Sequence, residues 1–280
     1  MKRRKAMIIA AVVIAILAAI IISLPAILQA AGLHPRYAGA TYKLPGKRAL
    51  IVTTSHGTLG DNGKPTGVYA SEMTVPYYGF LDAGMTVDVA SIEGGKIPIE
   101  PMSIKWPLAT NADKRFLADP VYKDKVASSV RIDDIDFASY DIVYLAGGWG
   151  ASWDLGTSEA LGRGVSAAWA KGAILGSVCH GALGFLKAVD VTSAPLVKGK
   201  RMTAVTDKQV RELGIEITPM HPETELRKAG ALFESATKGK DMLANHVVMD
   251  GNLVTGQNQN AGAEVAHDMM RLLSRKADAK

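Results

Sequence analysis

The stretch AILGSVCHGALGF, from Ala173 to Phe185, decides the fold and contains the only cysteine of the chain, Cys179. Its apolar first half follows Lys171-Gly172 and predicts a strand buried on both faces, and the small residues after the cysteine predict a helix. A strand, a sharp turn and a helix with a nucleophilic residue at the bend form a nucleophile elbow. In such an elbow a strained backbone presents the side chain at the carboxyl end of the sheet.

Cys179 has two interpretations. Free cysteine is among the most buried residue types, which favours a structural role in the core. The adjacent His180 and the small neighbours favour a reactive thiol, because an imidazole and helix-start amides both stabilise a thiolate. We therefore expect Cys179 to be a nucleophile that reacts well below the ordinary cysteine pKa of about 8.5. A single cysteine excludes an intrachain disulfide framework but not an oxidising compartment.

The charge of the chain is concentrated at its amino terminus. The formal net charge of the 280 residues is +5, and the cluster KRRK at residues 2–5 supplies four of these charges. No acidic residue precedes Asp61, so the rest of the chain is close to neutral. This distribution predicts a basic patch beside a membrane and argues against a nucleic-acid surface.

An apolar run follows the basic cluster directly. Residues 6–31 read AMIIAAVVIAILAAIIISLPAILQAA, and about twenty such residues in a helix cross a bilayer. A cleaved signal segment is the alternative, but its apolar region is usually about 7–15 residues long and small residues precede its cleavage site. We predict a retained single-pass anchor over residues 1–31. Because positive charges stay in the cytoplasm, the main domain would then be extracytoplasmic.

The remaining sequence divides into a linker, one domain and a tail. Residues 32–47, with two prolines, predict a tether, and residues 276–280 a tail. Residues 48–275 predict one α/β domain in which helical segments alternate with apolar strands at 48–55, 85–91, 140–146 and 173–178. We expect a doubly wound, mostly parallel flavodoxin-like sandwich whose ligands lie outside the carboxyl ends of the strands. Residues 96–136 lack a long periodic run and predict an insertion of loops and short helices.

Three elements are expected to meet at that edge of the sheet. They are the elbow, the turn that begins Gly147-Gly148, and the helix that contains Glu72. Glycines let backbone amides approach an anion. Glu72 is either a helix-start carboxylate that faces the macrodipole or, beside the thiol, a group that shares a proton with Cys179.

Four motifs give the chain a resemblance to a known family: GVYASEMTVPYYGFLDAGMTVDVAS, YLAGGWG, SVCHGALGF and DGNLVTGQN. Together they resemble the ThiJ/PfpI superfamily, which has a class I glutamine amidotransferase-like fold, over about residues 48 to 273. Within it they resemble the branch of heat-shock chaperones and glyoxalase III enzymes. The resemblance implies a nucleophile at Cys179, a carboxylate at Glu72, and an oxyanion site of the Gly148 and His180 amides beside Gly147.

The resemblance also implies a triad in which His180 pairs with a third acid, and here the sequence departs from the pattern. In VTDKQVRELGIEI, residues 205–217, the most direct register places Arg211 at the acid position. Glu212 and Asp207 are the nearest carboxylates, and we prefer Glu212. In PMHPETEL, His221 and Glu223 could also face the site, and a surface loop is the preferred interpretation for both.

These residues lead to two classes of function. As an enzyme, the protein would convert methylglyoxal or a related 2-oxoaldehyde to a 2-hydroxy acid without glutathione, with amidase or peptidase chemistry as the alternative. As a non-enzyme, it would be a membrane-anchored stress chaperone or redox sensor. We count a small aldehyde, the bilayer and a second copy of the chain as partners. We predict no cofactor and no metal, since His56 and Asp61 would need further ligands.

Overall fold

The computed structural model describes residues 2–278, apart from the side chains at positions 2, 62, 277 and 278. Nine helices and eleven strands are found over that part of the chain. The helices are α1 Lys2–Ala31, α2 Ala70–Asp82, α3 Asn111–Ala118, α4 Pro120–Ala127, α5 Ala151–Asp154, α6 Glu159–Ala170, α7 Asp207–Leu213, α8 Pro222–Lys228 and α9 Gly262–Asp278. The strands are β1 Arg48–Thr53, β2 Thr58–Leu59, β3 Lys64–Pro65, β4 Thr86–Ser91, β5 Val130–Arg131, β6 Ile142–Leu145, β7 Ile174–Val178, β8 Arg201–Met202, β9 Leu232–Phe233, β10 Val247–Asp250 and β11 Leu253–Gly256.

Seven strands form the central sheet in the order β10-β11-β7-β6-β1-β4-β5. All neighbours in it are parallel except β10 and β11, which form an antiparallel hairpin. Strands β2 and β3 pair separately, as do β8 and β9. The mostly parallel α/β sheet predicted from the alternating pattern is therefore confirmed.

Apolar side chains cover both faces of the sheet. On one face, Ile51 and Ile142 pack with Met73 and Phe80 of α2 and with residues of α9. On the other face, the next residues along the same strands, Leu50 and Val143, pack with residues of α6 and α8. Alternation along buried strands explains these two cores, because successive side chains point to opposite faces. The edge formed by the carboxyl ends of β1, β6 and β7 is left for the site.

The segment after the cysteine strand differs from the prediction. The strand ends at Val178 as expected, but Cys179–Phe185 form a 3₁₀ helix rather than an α-helix. Such a short, tight element aligns few peptide dipoles along one axis. The helix dipole invoked for the thiol is therefore weak here.

Most of the amino-terminal helix lies outside the domain, and only its carboxyl end contacts it. Its stretch Arg3–Ala31 is long and apolar enough to cross a membrane, and none of its most apolar window is buried in the protein. The predicted linker, residues 32–47, contains no helix or strand but is held by the domain. Leu33 and Leu44 are buried, and the Leu44 amide donates to the Ala83 carbonyl at 2.7 Å. The linker is thus ordered against the domain rather than a free tether.

The predicted insertion contains α3, α4 and β5 joined by loops. Its first part, residues 101–110, is a run of turns before α3 that reaches the site described below. The predicted tail overlaps the end of α9, which continues through Asp278. Residues 279–280 of that tail lie outside the described residues.

Candidate active site

The backbone at Cys179 has the geometry of a nucleophile elbow. Its φ is +56°, in the left-handed region that non-glycine residues rarely occupy. Strain of this kind costs of order 1–3 kcal/mol and persists where the surrounding structure imposes it. β7 ends one residue earlier, and β6 ends beside it at Leu145. The sequence prediction of a sharp turn at Cys179 is therefore confirmed.

Two glycines let the neighbouring strand end approach the elbow closely. A Cβ on Gly147 would lie 2.6 Å from Glu72 Oε2 and 2.7 Å from the His180 amide nitrogen. A Cβ on Gly148, whose φ is +90°, would lie 2.3 Å from the Tyr69 amide nitrogen. Any side chain at either position would displace backbone atoms, so the turn keeps its amides near the site only because both residues are glycine.

Glu72 is a buried carboxyl in the first turn of α2, with 1% of its surface exposed. Burial raises its pKa to about 8, and interactions with the Cys179 thiol and the Gly147 and Gly148 amides only partly oppose that increase. Its Oε2 atom is buried without a hydrogen-bond partner. A helix-start carboxylate that merely faced the dipole would be solvated and ionised. Glu72 is instead a carboxyl that carries its proton near neutral pH.

The Cys179 thiol is also buried, with 5% of the residue exposed. Burial is the main cause that raises its pKa well above the ordinary value, and the Glu72 carboxylate raises it further, while the Gly148 and His180 amides lower it. This reverses the expectation of an unusually acidic thiol, because desolvation outweighs the amides. Two such groups in contact titrate as a pair rather than separately.

His180 contacts the sulfur directly. Its Nδ1 lies 3.3 Å from Cys179 Sγ, and the residue has no exposed surface. Burial lowers its pKa to about 3, and the neighbouring His221 lowers it further. A neutral imidazole therefore faces the thiol, so a thiolate–imidazolium pair is not the resting state.

The structure does not bring the predicted third acid to His180. The Nε2 atom of His180 is buried and has no hydrogen-bond partner. The Glu212 carboxylate turns away: Oε2 accepts a hydrogen bond from the Asp241 amide at 2.8 Å, and Oε1 lies 3.7 Å from Lys208 Nζ. Asp207 accepts a hydrogen bond from the Thr224 hydroxyl at 2.7 Å. Both carboxylates thus hold the local structure around α7.

His221 and Glu223, the two residues assigned to a surface loop, differ from each other in their surroundings. His221 is half-buried, its Nε2 atom is enclosed without a hydrogen-bond partner, and it contributes to the lowered pKa of His180. His221 is therefore only partly exposed, and it is not among the residues that line the cavity over the elbow. Glu223 accepts hydrogen bonds from the Asp207 amide and from Arg227, at 3.0 and 2.9 Å, and has a structural role.

No group of three or more metal-ligating side chains is found among the described residues. His56 stacks on Trp153 with ring centroids 4.6 Å apart. The stacking accounts for the position of this imidazole without a metal ion.

A cavity of about 280 Å³ opens over the elbow. Cys179, His180, Glu72 and Gly148 form its floor, and its walls are mainly apolar. The walls come from separate parts of the chain: Met102 and Leu108 of the insertion, Trp149, Val205, Leu213 and Met242. The candidate site residues therefore lie together in a small pocket with mainly apolar walls.

Several lining residues were not singled out in the sequence. Tyr69 lies within the motif that contains Glu72, Gln259 directly follows the motif DGNLVTGQN, and Gln209 lies on α7, one turn before Glu212. Glu100 places a second carboxyl in the wall, with its Oε2 buried and unpaired. None of these has a local pattern that marks it. Only Gln209, a polar residue in the segment searched for an acid, could have been found there.

The fold is a mostly parallel α/β sandwich, and the site has a cysteine at a nucleophile elbow with a buried carboxyl beside it. These features define a class of α/β proteins with a cysteine elbow, and comparison with known proteins gives the family. The profile of the DJ-1/PfpI family matches residues 65–272. This chain therefore belongs to the DJ-1/PfpI family.

Similar proteins narrow the relationship within the family. Glyoxalase 3 of Candida albicans is 28% identical over 237 residues, which cover 80% of this chain and 97% of that protein. Glutathione-independent glyoxalase hsp3101 of Schizosaccharomyces pombe is 26% identical over 237 residues, 81% of this chain and 96% of that one. The resemblance to the glyoxalase III-like branch, predicted from four motifs, is confirmed.

Solved structures give the same relationship. Rapid Encystment Protein 24 kDa of Francisella tularensis has a TM-score of 0.75 at 30% identity, covering 81% of this chain and 99% of that one. Glyoxalase III from Candida albicans has a TM-score of 0.72 at 25% identity, and the match covers 81% of this chain and 97% of that one. The matched share leaves about a fifth of this chain without an equivalent in either structure.

Proposed function

We propose that this protein is a glutathione-independent glyoxalase, which adds water to a 2-oxoaldehyde and rearranges it to a 2-hydroxy acid. One observation carries the proposal: the Cys179 thiol, on a strained elbow, shares a buried pocket with a carboxyl that keeps its proton to about pH 8. The similarity to proteins named glyoxalases supports the same reaction. Methylglyoxal is the expected simplest substrate.

The first step is attack by sulfur. The Cys179 thiolate adds to the aldehyde carbon, an S–C bond forms, and the carbonyl electron pair moves to oxygen as a hemithioacetal oxyanion. The Gly148 and His180 amides, which already point at the sulfur and lower its pKa, are placed to donate to that oxygen. The buried pocket strengthens these bonds because water does not compete.

The second step moves a proton along the substrate. Glu72 gives its proton to the oxyanion, and the resulting carboxylate removes the hydrogen from the former aldehyde carbon and returns it to the neighbouring carbon, while the proton of the new hydroxyl passes to the oxygen of that neighbouring carbon. The product of this shift is a thioester of the 2-hydroxy acid. Water then breaks the S–C bond, which releases the acid and restores the thiol. These reaction steps use no oxidant and no cofactor.

We assign different roles to the other two predicted residues. His180, neutral and in contact with the sulfur, supplies an oxyanion amide through its backbone and positions the thiol with its ring. Glu212 is a positioning residue, because it binds the Asp241 amide next to Met242, a wall of the cavity. Amidase or peptidase chemistry is less favoured, since no carboxylate orients the His180 imidazole among the described residues.

The proposed function is tested by assaying the purified full chain with methylglyoxal and with glyoxal in the absence of any thiol cofactor. Formation of lactate and glycolate, followed by chromatography of the products, is the expected result. Loss of the aldehyde without a 2-hydroxy acid product would mean simple adduct formation and would overturn the proposal. An amide or peptide substrate panel serves as the comparison for the alternative activity.

A rise of kcat/KM with pH, with a midpoint near 8, is the expected pH dependence. Below that pH both Glu72 and Cys179 carry protons; above it the Glu72 carboxylate can accept the thiol proton as the sulfur attacks, and it then holds the proton that the oxyanion needs. The measurement is the pH–rate profile for methylglyoxal from about pH 5.5 to 9.5. The Glu72→Gln variant should lose this midpoint, and a wild-type profile that falls through pH 8 would contradict the assignment.

We also propose that α1 anchors the protein in a membrane, with the domain on the extracytoplasmic side. The length and apolar character of Arg3–Ala31 and the preceding basic cluster support the anchor. The full-length protein is expected to stay in the membrane pellet after alkaline carbonate extraction. Release as a soluble form that begins near Ala31 would identify a cleaved signal segment instead.

A further inference from the structure

The carboxyl end of helix α1 packs beside the mouth of the active-site cavity. The His34 amide donates to Asn260 Oδ1 at 2.8 Å, and Asn260 follows Gln259, a residue of the cavity wall. The His34 ring lies 6.1 Å from the ring of Tyr69, another wall residue. The segment that leaves the proposed membrane span therefore touches the wall of the site.

A second cavity, of about 360 Å³, separates the helix end from the insertion. Pro25 and Leu28 of α1 line one side, and residues 107–111 line the other. Leu108 belongs to the walls of both cavities. Leu108 is thus shared by the catalytic pocket and by the cavity beside the end of the apolar helix.

The short segment between α1 and the domain leaves the helix little freedom to turn away from the domain. The apolar run ends at Ala31, and Leu33 is already buried against the domain. Gly32 is packed so closely that an added Cβ would lie 2.6 Å from the Leu243 carbonyl oxygen, next to Met242 of the cavity wall. With α1 across a bilayer, this face of the domain is held at the membrane surface.

The insertion exposes apolar side chains on the face of the domain that lies beside the end of α1. Met102, at the cavity wall, and Trp106 each expose 56% of their surface. Tryptophan is enriched at membrane–water interfaces because its ring is amphipathic. Arg36 and Lys114 line the cavity beside the helix end, where cations meet lipid phosphates. An apolar rim with flanking cations fits a bilayer interface better than open solvent.

The pocket is larger and more apolar than methylglyoxal requires. Its volume of about 280 Å³ corresponds to the liquid volume of roughly nine water molecules. Apolar side chains form most of the walls, at Met102, Leu108, Val205, Leu213 and Met242, and they are interrupted by the polar groups of Tyr69, Glu100, Gln209 and Gln259. A longer alkyl chain on the 2-oxoaldehyde would fill that space and lose contact with water.

We propose that the active site opens onto the membrane surface and takes apolar alkyl 2-oxoaldehydes that partition into the bilayer. The substrate part of this proposal rests on the glyoxalase function proposed above. The orientation part rests on the contacts between α1, the insertion and the cavity. Residues 101–108 form the surface that enters the interface.

The test uses the full chain reconstituted in phosphatidylcholine vesicles, with methylglyoxal and 2-oxooctanal as substrates. We expect kcat/KM for 2-oxooctanal to exceed that for methylglyoxal by at least about tenfold, since each buried methylene adds binding. Trp106→Ser should reduce that advantage, because it weakens the contact of residues 101–108 with the bilayer from which the longer aldehyde enters, and it should leave methylglyoxal turnover within about twofold, because Trp106 does not line the catalytic pocket. Val191→Ser, at an apolar position 76% exposed and outside the pocket, is the matched control and should change neither rate.

Tryptophan quenching reports the orientation independently of turnover. Vesicles with brominated acyl chains should quench wild-type fluorescence more than that of Trp106→Phe. Equal quenching of the two proteins would overturn the membrane-facing mouth. Methylglyoxal turnover without any gain from the longer chain would overturn the substrate class while the proposed function stands. Failure to convert either aldehyde would remove the proposed function and the substrate class together.

Discussion

Cys179→Ala is expected to abolish conversion of methylglyoxal, a loss of at least about 10⁴ in kcat/KM, because no other group in the pocket can form the hemithioacetal. Lactate formation is measured on protein whose fold is checked by circular dichroism. Ser177→Ala is the matched control. This buried hydroxyl on the same strand has no hydrogen-bond partner, so its removal leaves the elbow intact and activity near wild type.

The same variant separates the enzyme from the non-enzyme function. A chaperone works through exposed apolar surface, which Cys179→Ala does not alter, so suppression of aggregation should persist in the variant if that activity exists. Lactate formation that survived in folded Cys179→Ala would contradict covalent catalysis. The reaction would then need a nucleophile other than the one on the elbow.

Glu72→Gln is expected to lower kcat/KM by roughly 10² to 10⁴, the usual contribution of a positioned acid–base group. Glutamine keeps the shape and can still form hydrogen bonds, but it cannot give up and recover a proton. Stability should not fall, since the substitution removes an ionisable group whose pKa burial has raised. The measurement is steady-state kinetics on one aldehyde, with thermal unfolding recorded alongside.

Glu212→Gln provides the control for that experiment and should cost far less. Its carboxylate binds the Asp241 amide and Lys208, so the variant loses loop contacts and not a proton carrier. The opposite ranking, an inactive Glu212→Gln with a nearly normal Glu72→Gln, would indicate a Cys–His–acid triad of the hydrolase kind. The proton-transfer steps assigned to Glu72 would then be wrong.

Local sequence determined the elements that build the site. The apolar run before Cys179 and the small residues after it predict the elbow, because only such a pattern allows a buried strand to end in a strained turn. The glycines at 147 and 148 are required by backbone atoms that lie within 3 Å of where a side chain would begin. Glu72 was found because its helix directly follows the first strand and its loop. All these signals lie within a few residues of the group that they mark.

Tertiary structure decided what could not be seen along the chain. The direction of the Cys179 pKa shift depends on how completely neighbouring elements exclude water, and burial outweighed the amides that the sequence suggested. The position of the third acid depended on which way the α7 side chains face: Glu212 turns to Asp241, while Gln209 enters the pocket. The packing of His34 and Leu108 at the mouth joins residues far apart in sequence. The sequence alone thus determined the elbow and its partners. Three-dimensional packing set the protonation of these groups, their surroundings and the side from which a substrate enters. The reason is that desolvation and side-chain direction arise only when distant segments meet.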